Sequence, residues 1–173
     1  KFIEGLNNDR SVMLGQVARN MERDLPWFDG NLAHAASALL VGGGPSLADT
    51  LTKLRFRASQ GGKVFALNGT HDYLIERGII PDFHVMLDAR PENAQFVAKP
   101  HKDVTYLIAA QCHPSVFDAL EGHDVIMWVS CMDSCEQALF DRFKHKPMMT
   151  VGGGATVGLK TMNLAYLAGF RNL

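Results

Sequence analysis

Cysteine is scarce, with three in 173 residues. So few, and an odd number, exclude a closed disulfide framework and fit a reducing compartment. A cytoplasmic location is expected. Cys131 and Cys135 are spaced across a strand end and a helix start, with Cys112-His113 upstream. No second close pair completes a tetrahedral set, so no structural zinc is expected. Neither sign of charge dominates: 17 Lys and Arg stand against 18 Asp and Glu, a formal net charge of −1. That balance excludes the broad basic field of a nonspecific nucleic-acid binder. No apolar run approaches the roughly 20 residues of a membrane-spanning helix, and the opening residues carry no secretory pattern. Repeats, low-complexity tracts and flexible linkers are also missing. The chain starts at Lys1 without a methionine and stops at Leu173 just after a helical pattern. It is expected to be a fragment of a longer protein.

Glycine is what the chain does have, and two triplets of it stand out. Ala38-Leu39-Leu40-Val41 runs into Gly42-Gly43-Gly44-Pro45-Ser46-Leu47, and Met148-Met149-Thr150-Val151 runs into Gly152-Gly153-Gly154-Ala155-Thr156-Val157. A glycine turn between a strand and a helix lets backbone N–H groups approach a ligand without Cβ interference. The helix that follows offers unpaired N–H groups and the positive end of its dipole, a site for phosphate or carboxylate. Two such turns in one domain suggest a nucleotide or another multiply charged small molecule.

From Ala38 onward, apolar runs alternate with helical patterns, as in βα units around a parallel sheet. Strands are expected near Leu39–Val41, Val64–Leu67, Phe83–Leu87, Thr105–Ala109, Val125–Val129 and Met149–Val151. Ser46 and Asp49 resemble a capping box, followed by an apolar stripe of Leu47, Leu51, Leu54 and Ala58. A second such box is read at Asp133 and Glu136. Thr70 to Arg77 forms a helix closed by Gly78, and Pro114 opens one that Gly122 closes. The last helix spans about Ala155 to Ala168, with Leu159, Met162, Ala165 and Tyr166 expected to face inward. Upstream, Leu14, Val17, Ala18, Met21 and Leu25 recur at helical spacing. That helix is expected to lie across the sheet edge or against a missing upstream region. The expected fold is a three-layer α/β, Rossmann-like, mainly parallel sheet over residues 38–173, with an N-terminal helical extension over 1–37.

The first loop is not a P-loop, because no Gly-Lys-Ser/Thr follows. It also departs from a dinucleotide fingerprint: Leu47 stands where the third glycine belongs, and Asn68 stands where an acidic residue would hold a ribose. NAD is therefore not expected. In open α/β sheets, ligands bind at the carboxyl ends of strands. Asn68 and Gly69 end the second strand, and the Asn68 amide offers both a donor and an acceptor for a base or ribose. Asp88 ends the third, where it could hold a metal or a ligand hydroxyl, or cap the helix starting near Glu92. Asp82 starts that strand, on the opposite rim, and reads as structural. His71 and His113 lie near strand carboxyl ends, within reach of a ligand, whereas His84 falls inside a strand. Lys160 could reach a phosphate or be solvent-exposed.

Several of these segments, in this order, resemble the MptE-like proteins, a group named for archaeal 6-hydroxymethylpterin diphosphokinase that includes motility accessory factors of flagellar glycosylation. The matching pieces are Val41–Leu47, Phe65-Ala66-Leu67-Asn68-Gly69, Gly78-Ile79-Ile80-Pro81-Asp82, Asp88-Ala89-Arg90-Pro91, Gly152–Val157 and Asn163–Phe170. A more distant likeness is to bacterial sialyltransferases, which share a Gly-x-Gly-Pro-Ser-Leu loop and bind a cytidine sugar nucleotide. The resemblance implies a nucleotide held at Gly42, Gly43, Gly44 and Ser46, at Asn68 and Gly69, and at Gly153, Gly154, Ala155 and Thr156. It implies Mg²⁺ with ATP or another nucleotide, with Asp88 as the metal ligand and catalytic carboxylate. The implied activity is pyrophosphoryl transfer from ATP to a hydroxymethyl pterin. The alternatives are glycosyl transfer from a nucleotide sugar, or a non-catalytic binding or assembly module. Relatives carry a further strand after the last helix, which this chain is expected to lack. The partners expected are a small nucleotide and an acceptor, with self-association possible through an exposed edge.

Overall fold

The computed structural model describes residues 9–130 and 149–173; Cys131, Cys135 and the expected cap at Asp133 and Glu136 lie outside them. Among the described residues, seven strands form one parallel sheet in the order β6-β5-β4-β3-β2-β1-β7. The strands are β1 (His34–Val41), β2 (Lys63–Leu67), β3 (Phe83–Met86), β4 (Thr105–Ala109), β5 (Val125–Ser130), β6 (Thr150–Val151) and β7 (Phe170–Asn172). The helices are α1 (Arg10–Asn20), α2 (Leu47–Ser59), α3 (Thr70–Ile75), α4 (Pro114–Ala119) and α5 (Val157–Leu167), with a 3₁₀ helix at Pro91–Val97. The central strands are buried on both faces, as their continuous apolar runs require. One core layer, around Val64, Ala66, Leu74 and Ile79, carries α2 and α3. The larger one gathers Phe65, Val85, Tyr106, Trp128, Leu164 and Phe170.

The sheet is strongly curled. Seven strands at about 4.8 Å spacing would place β6 and β7 about 29 Å apart if flat. Yet α5, whose 11 residues span about 16 Å, touches β6, β3, β2, β1 and β7. It lies inside a half-barrel. A stretch before β1 bridges the open side: Phe28 N–H donates to Met127 O of β5, Asn31 N–H to Leu167 O, and His34 N–H to Gly169 O.

Several sequence expectations change here. The strand expected to be lacking after the last helix is present as β7, pairing His34 with Phe170 and Ser37 with Asn172. Of the four residues expected to face inward on α5, only Ala165 is buried; Leu159, Met162 and Tyr166 are about half exposed. Lys160, Thr161 and Leu164 take the inner face instead. Their polar groups are met locally, Lys160 Nζ donating to Val151 O and Thr161 Oγ to Val157 O. Ser46 makes no side-chain cap. The N-terminal helix crosses neither edge. Gln16 donates to Ala89 O, and Asn20 to Ala110 O and Cys112 O, so α1 packs on the loops that follow β3 and β4. Val17 and Met21 join the main core, and β1 begins at His34, within the stretch read as an extension. Asp82 is structural as expected: its carboxylate accepts from Lys63 Nζ at 2.7 Å and Val64 N at 2.8 Å, tying β2 to β3.

Candidate functional site

The turn after β1, the turn after β2 and the start of α5 enclose a cleft of about 730 Å³. Gly42, Gly43 and Gly44 form one wall, Asn68, Gly69 and Tyr73 another, and Val157 and Gly158 close it from α5. Thr70 fixes the two turns relative to each other. Its hydroxyl accepts from Leu67 N at 2.8 Å and lies within 3.0 Å of Val41 O, joining the ends of β1 and β2.

The two glycine triplets differ in kind. None of Gly42, Gly43 and Gly44 has a left-handed backbone. A Cβ at Gly42 or Gly44 would meet nothing within 4 Å, and one at Gly43 only Thr70 Cγ2 at 3.6 Å. The protein's own packing thus leaves room for side chains along this wall, and the bare backbone faces the cleft. The second triplet needs two of its glycines internally, whereas a Cβ at Gly152 would meet nothing within 4 Å. Gly153 and Gly154 have φ of 78° and 29°, and added Cβ atoms would strike Asn163 and Leu159. Asn163 Nδ2 donates to Gly152 O, and Thr156 accepts from Leu159 N to cap α5. Gly153, Gly154, Ala155 and Thr156 do not line the cleft; the neighbouring Val157 and Gly158 do.

Asn68 is the one non-glycine residue with positive φ (48°) among those described. Its side-chain Oδ1 is buried without a hydrogen-bond partner. A left-handed asparagine with an orphan acceptor is costly and calls for an explanation. Beneath it lies a buried aromatic set. His84 Nε2 is 2.8 Å from Asn68 O, and because a carbonyl only accepts, Nε2 carries the proton. His84 stacks on His71 at 4.7 Å. His71 Nδ1 lies 2.6 Å from Asp72 Oδ1, and Nε2 lies 3.1 Å from the Tyr106 hydroxyl. His71 is therefore held within the fold, fully buried and off the cleft lining. His113 is a helix cap, its Nδ1 accepting from Ser115 N.

Burial, reinforced by the neighbouring His71, pushes His84 down to about 3. The unfolded chain therefore takes up a proton near the usual histidine value of 6.5, and the folded protein does not until near 3. His84 thus contributes stability that is whole above 6.5 and falls away as pH drops toward 3. Replacing His84 with Phe, which cannot titrate, is expected to flatten the acid limb of urea midpoint against pH across that window. An unchanged limb would refute the assignment.

Asp88 sits beyond β3 but off the cleft lining. Burial alone would raise its pKa; hydrogen bonds and charge from Arg90 outweigh this and hold it below the ordinary value. Arg90 Nε lies 3.0 Å from both carboxylate oxygens and Nη2 2.6 Å from Oδ2. The arrangement fits a metal poorly, because Arg90 already occupies both oxygens. No group of three or more potential metal ligands occurs among the described residues. Ser46 borders a separate groove between β1 and α2. Cys112 is fully buried, and burial raises its thiol pKa, so it is inert.

The structure thus brings together Gly42, Gly43, Gly44, Asn68 and Gly69 from the expected set. It leaves out Ser46, Asp88 and the second triplet. Thr70, Tyr73, Val157 and Gly158 were not foreseen, although Thr70 is legible in hindsight as the residue after the Asn-Gly turn.

Among the described residues, no helix is long and apolar enough to cross a membrane. No curated protein matches the chain. A solved structure, the MAf glycosyltransferase from Magnetospirillum magneticum AMB-1, matches with a TM-score of 0.74 at 20% identity. The match covers 98% of this chain but only 27% of that one, and at this identity it shows the α/β Rossmann-like fold. The family described as 6-hydroxymethylpterin diphosphokinase MptE-like matches residues 13–173. With nearly its whole length matched, the chain belongs to the MptE-like family.

Proposed function

We propose that the cleft binds a nucleotide and that the domain is part of a transferase. The observation that carries this reading is the first glycine wall. Its glycines are required by neither backbone angle nor internal packing, which is what close approach of a ligand to backbone N–H groups asks for. The N-terminal ends of α2 and α5 border the same cleft and favour anionic groups there. Phosphates would lie on Gly42–Gly44, and the nucleoside toward Asn68 and Tyr73. Catalysis of group transfer would then rest on orientation and charge stabilisation.

The family's description makes pyrophosphoryl transfer from ATP to a hydroxymethyl pterin the first specific reaction to test. That reaction ordinarily draws on Mg²⁺ carried by the ATP phosphates, and Asp88, gripped by Arg90 and off the cleft lining, is poorly placed to hold it. The Arg90 clamp on Asp88 favours the second reading, glycosyl transfer from a nucleotide sugar, whose donor has less need of a metal. A thermal-shift panel of ATP, GTP, CTP, CMP and UDP, each with and without Mg²⁺, separates them. A ligand at about 100 times its Kd stabilises by roughly 2.7 kcal/mol. An ATP shift that needs Mg²⁺ supports the diphosphokinase reading. A shift with a cytidine nucleotide that survives EDTA supports the glycosyl reading, and no shift with any of them refutes nucleotide binding.

A further inference from the structure

The imidazole of His84 occupies an interior slot of β3. It is fully buried, and its Nδ1 has no hydrogen-bond partner. A buried orphan nitrogen costs stability, which the bond made by the other ring nitrogen has to offset. What the ring supplies is one directed donor, the Nε2–H on the Asn68 carbonyl at 2.8 Å. The other polar group near that carbonyl, the amide of His71, is 3.4 Å away. Asn68 is where a donor matters, because its left-handed backbone (φ 48°) has no support from a glycine's freedom. The imidazole is itself fixed by its stack on His71, which Asp72 and Tyr106 hold from either ring nitrogen. Phe96 closes the turn from the other side, since a Cβ on Gly69 would lie 2.9 Å from its ring.

We propose that His84 is a positioning residue: by bonding the Asn68 carbonyl, it locks Asn68 in the left-handed conformation in which this residue lines the cleft and meets the bound nucleoside. This rests on the reading that the cleft holds a nucleotide. The His71–Asp72–Tyr106 set acts one step further back, orienting the ring that orients the asparagine.

The test is calorimetric titration of ATP and of CMP into the parent protein, His84→Phe, His84→Gln, Asn68→Gly and the His84→Phe/Asn68→Gly double variant. Glutamine places an N–H donor near the position of Nε2, whereas phenylalanine fills the slot without one. His84→Phe is expected to weaken binding about tenfold, the worth of one hydrogen bond, and His84→Gln to recover most of it. The double variant is expected to bind no worse than Asn68→Gly alone, because His84 acts only through Asn68. If His84→Phe overpacks and unfolds, His84→Leu takes its place in the same comparison. Parent-like affinity in the donorless variant, or additive losses in the double variant, would overturn the positioning role while leaving the cleft reading intact. Failure of the parent to bind any of ATP, GTP, CTP, CMP and UDP would overturn both.

Discussion

Gly44→Val is expected to lower nucleotide affinity about a hundredfold or more, the worth of two charge-assisted hydrogen bonds to phosphate, while shifting the melting temperature by less than about 2 °C. The asymmetry follows from where the new side chain would go. A Cβ at Gly44 has no protein atom within 4 Å, and the backbone there is not left-handed. Folding thus loses little, as for an ordinary surface substitution of about 0.5 kcal/mol or less. The isopropyl group would instead stand in the cleft, between the ligand and the first amides of α2. Paired thermal melts and calorimetric titration give both numbers from one preparation. If Gly44→Val binds as tightly as the parent, the triplet is only a strand–helix turn.

Gly169→Ala should do the opposite, lowering stability by about 3 kcal/mol through left-handed strain and overpacking combined. Its φ is 98°, and a Cβ would lie 2.3 Å from Leu32 O and 2.9 Å from His34 Cδ2. Backbone oxygen cannot move aside as a flexible side chain would. Gly169 O also accepts from His34 N, so relief by shifting the backbone would disturb the entry to the β1–β7 pair. Urea titration of the variant measures the loss, and a midpoint within error of the parent would show that the turn relaxes freely.

The strands were legible because each is a short, nearly continuous apolar run, the signature of a sheet covered on both faces. The cleft was half legible. Gly42–Gly44 and Asn68-Gly69 follow strands directly, and the rule that ligands gather at strand carboxyl ends applies to them without further knowledge. The second triplet could not be told from the first because composition does not reveal φ. Gly153 and Gly154 are glycines for backbone reasons, and identical letters at Gly42–Gly44 are not. The inner face of α5 was misread because periodicity assumes that the buried face is the apolar one. Inside a curled sheet, Lys160 and Thr161 are buried with backbone carbonyls as partners, while Leu159, Met162 and Tyr166 face outward. Asp88 was placed correctly beyond β3, but nothing in the sequence says that Arg90, two residues on, bends back to grip it. The histidines read least well, since the stack of His71 on His84 joins two segments whose register only the folded sheet supplies.

The pairing of His34 with Phe170 carries a consequence for the order of assembly. From β1 to β5, each strand lies beside its predecessor in the chain, so each pairing closes a short loop. The bond between β1 and β7 joins segments near opposite ends of the described chain and waits on the largest loss of chain entropy in the molecule. The wall that Val157 and Gly158 contribute to the cleft is set by the same late docking. A polypeptide caught before that step would present the Gly42–Gly44 turn and Asn68 on a pre-formed platform but would grip a ligand from one side only. Binding would then draw the final strand into place, coupling ligand capture to the last stage of folding.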